Sequence, residues 1–266
     1  MGLGFKKHFK SVMNRNFVED VLLLWPSFFL RGKSRYTKMQ KLFYDRNASK
    51  SIYDRKDKID LIVWGYDLHN KWEDYDAYLM KYIDGSYKHK IALDFGCGPG
   101  RNIIKYHEKF LRIDGADISL VNIKNAKKNL QYVGIDMPNL YVTSGCDCGD
   151  INEYTYDFVF STITMQHICV YEIRFQILQA MFRALKDSGR LSIQMGFGNR
   201  EGMSVDYYAN YYSVLGTNSK CDTRVESSEQ VKNDLEKIGF KEFEYWLRPT
   251  GPGDKHSQWI FFTAVK

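Results

Sequence analysis

From residue 91 onward, short continuous apolar runs alternate with longer segments whose apolar positions recur at helical spacing. Ile91–Phe95 reads as a buried strand running straight into Gly96, Gly98 and Gly100, after which a helix continues to about Phe110. Arg112–Ile118 reads as the next strand. Ser119 then stands as an N-cap for a helix with Val121, Ile123, Ala126, Leu130 and Val133 on its apolar side, ended by Gly134. Leu140–Thr143 and Asp157–Ser161 read as the third and fourth strands, a helix follows near Glu172–Lys186, and Gly189 opens a fifth strand over Arg190–Met195. Ser227-Ser228-Glu229 opens a last helix with Val231, Leu235 and Ile238 inward, closed by Gly239. Two strands close in sequence follow, Lys241–Arg248 and Gln258–Val265, and so short a connection requires them to pair antiparallel. The alternation predicts an α/β fold: a Rossmann-like, mostly parallel, doubly wound sheet with right-handed crossovers.

The first 84 residues read differently, as a basic and mostly helical extension ahead of a domain over 85–266. Residues 1–90 hold 18 Lys and Arg against 11 Asp and Glu, a net of +7, which leaves 20 against 21 for the remainder. Phe17–Leu30 is an apolar run with basic flanks, too short to span a bilayer and interrupted by Glu19, Asp20 and Pro26. Two readings stand for it: a lid or dimer element packed on the domain, or a peripheral contact of residues 17–30 with an anionic membrane surface through Trp25, Phe28 and Phe29. Met1-Gly2 begins like a myristoylation signal, but Lys6 stands where Ser or Thr is required. Residues 31–60 read as a solvated helix and loop, and Ile59–Ile83 as helices capping a cleft.

The chemistry concentrates in the loops at the carboxyl ends of the strands, where ligands of open α/β sheets bind. G-x-G-x-G at 96–100 exposes main-chain N–H groups to a ligand, but it is not the G-x-G-x-x-G of a dinucleotide site, and Asp94 just before it suits a cation better than a pyrophosphate. Asp117 ends the second strand, where a carboxylate can hold a ribose diol.

On Asp94, Gly96, Gly98, Gly100 and Asp117 the chain resembles the class I S-adenosylmethionine (SAM) dependent methyltransferases, in particular the small-molecule group of types 11 and 25, over roughly residues 85–266. The resemblance implies a seven-stranded sheet with an antiparallel terminal strand, SAM as cofactor and S-adenosylhomocysteine as product. It implies cofactor contacts from Asp94, Gly96, Cys97, Gly98, Gly100, Asp117, Ile118, Asp147, Cys148 and Ser161, with Asp147 accepting from the adenine amino group; as residues alone, Asp147 has a second, lesser reading as a turn former beside Gly149-Asp150. The loop 161–168 carries Gln166-His167 where relatives approach the sulfonium, which makes His167 a candidate general base, or a packing residue near the cofactor.

The long, aromatic loop 196–225 offers Tyr207, Tyr208, Tyr211 and Tyr212 for an acceptor pocket or for packing a short helix. The loop 248–259 adds Arg248, Asp254 and His256, with Arg248 or Lys255 a candidate for a carboxylate or phosphate on the acceptor and His256 a second catalytic candidate; a structural turn with incidental polar residues is the equal alternative.

Five cysteines without a CxxC pair point to a reducing, cytoplasmic setting, and Cys146-x-Cys148 lacks a second pair at zinc spacing, so no metal is expected. The loop Ser161-Thr162-Ile163-Thr164 lacks the Asn/Asp-Pro-Pro-aromatic motif of DNA amino-methyltransferases, and no cysteine follows a proline as in the C5-cytosine enzymes. The resemblance implies methyl transfer to a small-molecule acceptor of sugar, lipid-linked or natural-product type, oxygen ahead of nitrogen, by a monomer or homodimer. Two alternatives stay open: an RNA ribose or cap enzyme using the basic segment, and a non-catalytic SAM-binding partner subunit.

Overall fold

A computed structural model describes residues 29–53, 75–136, 138–198, 204–212, 222–251 and 256–266. The elements are α1 (Gly32–Tyr53), α2 (Asp76–Leu79), β1 (Ile91–Phe95), α3 (Arg101–Tyr106), β2 (Arg112–Asp117), α4 (Leu120–Tyr132), β3 (Leu140–Val142), β4 (Tyr156–Ser161), α5 (Tyr171–Ala184), β5 (Leu185–Phe197), β6 (Ser204–Val205), β7 (Asp222–Thr223), α6 (Ser228–Ile238), β8 (Lys241–Pro249) and β9 (Gln258–Val265). Seven strands form one sheet in the order β3-β2-β1-β4-β5-β9-β8, parallel except that β9 runs antiparallel to both β5 and β8. The order reverses at β1 and β4, which places the crevice of the fold beside the glycine loop.

Strand alternation splits the core into two layers. Leu93, Val159, Ile260 and Phe262 face α5 and α6 on one side, where Ile177, Met181, Val231 and Leu235 bury against them. Ala92, Phe158, Phe160 and Phe261 face the other side with Ile103, Tyr106 and Leu130 from α3 and α4. Both faces are covered, which is why β1 and β4 read as continuous apolar runs.

Local signals match the observed ends closely. The Ser119 hydroxyl accepts from Asn122 N at 3.1 Å, and α6 begins with a full capping box between Ser227 and Gln230. β5 is longer than the expected Arg190–Met195; it starts at Leu185, beside a register shift against Tyr156 and Phe158.

The N-terminal extension departs from the sequence reading. The helix expected within 31–60 is present as the 22-residue α1, but it is not solvated: it packs against α4 and lies over the crevice. The described part of Ile59–Ile83 does not cap the cleft; Tyr75 and Tyr78 pack on Phe261 at 4.8 Å between ring centroids, on the sheet face shared with α3. Residues 17–28 of the apolar run, residues 59–74, Asp254 and Lys255 lie outside the described residues. No described helix is long and apolar enough to cross a membrane.

Removing the α6 cap by Ser227→Ala should cost about 1 kcal/mol, a fall of a few degrees in Tm by thermal unfolding; an unchanged Tm would show that packing alone fixes this helix.

Candidate cofactor and active site

The turn after β1 is held by the end of β2. Gly96 N and Cys97 N both donate to Ala116 O, at 2.7 and 3.1 Å, and Gly98 N donates to Asp117 Oδ2 at 3.0 Å. Gly96 has φ +78°, and a Cβ there would stand 2.1 Å from Thr164 Oγ1, so the β1 and β4 loops fit together only around a glycine. A Cβ on Gly98 would meet nothing within 4 Å and would project into the open cleft. Gly100 instead serves packing, its hydrogen-only side facing Ala126 of α4.

Asp117 is buried in the cleft wall. Its Oδ1 accepts from Ser119 N at 2.8 Å and Asn122 Nδ2 at 3.3 Å, so with Gly98 N three of its roughly four acceptor positions are filled. Burial raises its pKa, and these three donors work against that rise. Asp94 is also fully buried, two positions before Gly96. Asn102 Nδ2 reaches its Oδ1 at 3.4 Å, while Oδ2 has no hydrogen-bond partner among the described residues. Burial pushes its carboxyl up to about 7, opposed by the Asn102 contact and the nearby Arg101 charge.

These groups border a cleft of about 370 Å³. Its floor comes from Phe95–Pro99, Arg101 and Asn102, one wall from Asp117, Ile118 and Asn122, and the other from Thr162–Thr164, His167 and Ile168. α1 supplies the roof through Tyr36, Thr37, Gln40, Tyr44, Asn47 and Ala48. Tethers at both ends hold the roof down. Cys169 N donates to the Tyr36 hydroxyl at 2.7 Å and Gln40 Nε2 donates to His167 O at 3.2 Å. At the far end Asp45 Oδ1 accepts from Ser119 Oγ at 2.6 Å and from Val121 N at 3.3 Å, one of the exposed N–H groups at the start of α4.

The β4 loop carries local strain. Ile163 sits at φ +55°, a region β-branched residues rarely occupy, and its N–H donates to the buried Gln194 Oε1 at 2.7 Å. Just past Thr164 the chain turns once, over Met165–His167, and delivers the His167 ring to the cleft wall. Its Nδ1 lies 2.7 Å from Asp222 Oδ1 on β7. A carboxylate can only accept, so this bond puts the proton on Nδ1 and leaves Nε2 as the nitrogen able to take one. On the other side of the same carboxylate, His256 Nε2 stands 3.6 Å from Asp222 Oδ2.

Of the residues expected from sequence, Gly96, Cys97, Gly98, Asp117, Ile118 and His167 line the cleft, with Asp94 buried beneath it. Several others lie elsewhere. Asp147 closes its own turn, accepting from Ser144 N, Ser144 Oγ and Gly149 N at 3.0, 2.5 and 2.9 Å, and Thr143 and Gly145 border the cleft in its place. Those bonds hold its carboxyl below the usual range despite partial burial. Cys148 is in the core, and Ser161 donates to Phe95 O at 2.8 Å beneath the floor.

The aromatic loop is structural where it is described. Tyr207 is buried with its hydroxyl on Asp234 at 2.9 Å, Tyr208 stacks edge-on against it, and Tyr211 is surface-exposed; none borders the cleft. Arg248 lies beside Tyr75, 5.3 Å from its ring, on the α3 side of the sheet. The sequence reading missed Asp222 and the whole α1 contribution. Asp222 has no motif around it, and α1 meets the cleft with Tyr, Thr, Gln and Asn, which no apolar periodicity marks.

Comparison with known proteins agrees with this architecture. Residues 93–193 match the family described as a methyltransferase domain. No curated protein matches the chain. Among solved structures, phosphoethanolamine N-methyltransferase 2 of Haemonchus contortus, in complex with S-adenosylhomocysteine and phosphomonomethylethanolamine, superposes with a TM-score of 0.62 at 17% identity. That alignment covers 85% of this chain and 60% of the other, so the chain spans about three fifths of that enzyme's length. Geranyl diphosphate C-methyltransferase of Streptomyces coelicolor, in complex with Mg2+, geranyl diphosphate and S-adenosylhomocysteine, superposes with a TM-score of 0.60 at 13% identity, over 86% of this chain and 97% of its own. A SAM-dependent methyltransferase of Aquifex aeolicus gives 0.51 at 14% identity, over 76% and 97%. Residues 93–193 thus match a methyltransferase domain family, and the seven-stranded sheet has the fold of the SAM-dependent methyltransferases among these solved structures.

Proposed function

We propose that this chain transfers a methyl group from SAM to a protic nucleophile, a hydroxyl or an amine, on a small-molecule acceptor, with His167 as the general base. The observation that carries the reading is the 2.7 Å His167–Asp222 bond in the wall of the cleft that also contains the glycine loop.

The residues present suit SAM in three respects. Asp117 retains an acceptor position for a ribose hydroxyl, the open face of Gly98 admits a ligand against the main chain, and the unpartnered Asp94 Oδ2 belongs to a buried carboxyl that a cationic group above it would draw into its ionised form. When bound, SAM supplies the methyl group on a sulfonium that any aligned nucleophile can attack. The protein then has two tasks. The roof of α1 and the glycine floor position the reactants and keep water out, which accounts for much of the acceleration in such a displacement. His167 Nε2 takes the proton that the nucleophile releases, and Asp222 stabilises the resulting imidazolium.

The enclosing roof is what favours a small acceptor over a polymer. In this reading residues 85–266 hold the catalytic fold and the N-terminal extension completes the site from above. The described cleft contains no basic cluster matched to a polyanion; Arg101 is the one Lys or Arg among its described lining residues.

Asp117→Ala should weaken S-adenosylhomocysteine binding at least about tenfold in calorimetric titration with the circular dichroism spectrum unchanged, and wild-type affinity would contradict the ribose assignment. His167→Ala should leave that affinity within a factor of about two while lowering turnover about 10²- to 10⁴-fold, measured with labelled SAM on an acceptor panel; full turnover would make His167 a packing residue. Asp94 makes a pH prediction. Its folded pKa lies above its unfolded value of 3.8, at about 7, so the native state holds the extra proton and stability falls as pH rises through that window. Asp94→Asn should therefore raise Tm at pH 8 and change it little at pH 4, and an equal effect at both would rule out an ionisation cause.

A further inference from the structure

His256 is buried to 1% exposure, and neither ring nitrogen has a hydrogen-bond partner among the described residues. Burying an unpaired polar ring costs free energy that a Phe or Leu would not incur, so its place beside Asp222 calls for a role. Its surroundings leave the ring little freedom. It lies flat over Gly196 of β5, where a Cβ would come 2.3 Å from the ring atoms, and 5.4 Å from the Trp259 ring of β9. Its carbonyl accepts from the Thr250 hydroxyl at 2.7 Å, which anchors the backbone below the ring. Among the described residues the ionisable group facing it is Asp222, whose Oδ1 is already engaged by His167; Arg224, two residues along, pairs with Asp206 and Glu226 at 2.6 and 2.7 Å.

We infer that His256 is a positioning residue for the base: its Nε2–H closes on Asp222 Oδ2 and holds the carboxylate with Oδ1 on His167 Nδ1. The 3.6 Å separation is too long for a hydrogen bond as it stands, and contacts of this kind tighten when an active site fills. Held from both sides, Asp222 cannot rotate away, and His167 keeps the tautomer in which Nε2 is bare toward the cleft. His256 touches neither reactant in this arrangement and acts through Asp222 alone. The inference rests on the reading of His167 as the base, yet it concerns the protein's own protons and needs no acceptor to test.

The test is imidazole nitrogen NMR on the full chain labelled at histidine, with the His167 and His256 signals assigned through His167→Gln and His256→Gln. Wild type should show one tautomer at each ring, Nδ1–H for His167 and Nε2–H for His256. His256→Phe, which keeps a flat ring over Gly196 without a donor, should lose the single His167 pattern and give a mixture of tautomers; His256→Gln, which restores an N–H toward Asp222, should recover it. Retention of the pure Nδ1–H pattern in a folded His256→Phe would overturn the inference. If that variant does not fold, wild type alone decides: a His256 whose Nε2 carries no proton overturns it. S-adenosylhomocysteine titration of the same samples reports separately on the methyltransferase reading, so the two fail independently.

Discussion

The site is organised around the buried carboxylate of Asp117. By accepting from Gly98 N it pins the glycine loop of β1 against the end of β2, and by accepting from Ser119 N it fixes the point where α4 begins. Ser119 passes the arrangement on, because its hydroxyl caps α4 at Asn122 and donates to Asp45 of α1. Floor, wall and roof of the cleft are thus joined by consecutive hydrogen bonds from one acid. Burying that charge is unfavourable on its own, and the three N–H donors around it offset the cost while leaving an acceptor position open.

The His167 side of the cleft is assembled from segments far apart in sequence. His167 follows β4, Asp222 opens β7, and His256 precedes β9, yet the reversal of strand order and the antiparallel return of β9 bring all three to one edge. The strained Ile163 and the glycine at 96 are the local terms for that convergence: the β4 loop has to pass within contact of the β1 loop, and only an absent side chain and an unusual turn permit it.

Much of this was legible in the sequence because it depends on local chemistry. Glycine spacing, the acid ending β2, the caps at Ser119 and Ser227 and the apolar runs of β1 and β4 each have a near-neighbour cause, so the Rossmann-like sheet and the glycine-loop edge of the cleft followed from them. What escaped is nonlocal or polar. α1 buries Tyr36 and Gln40 beside Met39 and Ala48 and no continuous apolar stripe, so it read as solvated, and Asp222 acquires its meaning only from a histidine 55 residues away. Asp147 and Tyr207 show the converse. Each stands at a position where a functional residue was expected, but Asp147 satisfies its own turn and Tyr207 fills the core against Asp234.

The most direct test of the account is a crystal structure of the full chain with S-adenosylhomocysteine. The account predicts the ribose hydroxyls on Asp117, the ligand against the open face of Gly98 beneath α1, and its sulfur on the side of the cleft occupied by His167. A ligand bound away from Asp117, or one that displaces the β4 loop so that His167 no longer faces its sulfur, would contradict it.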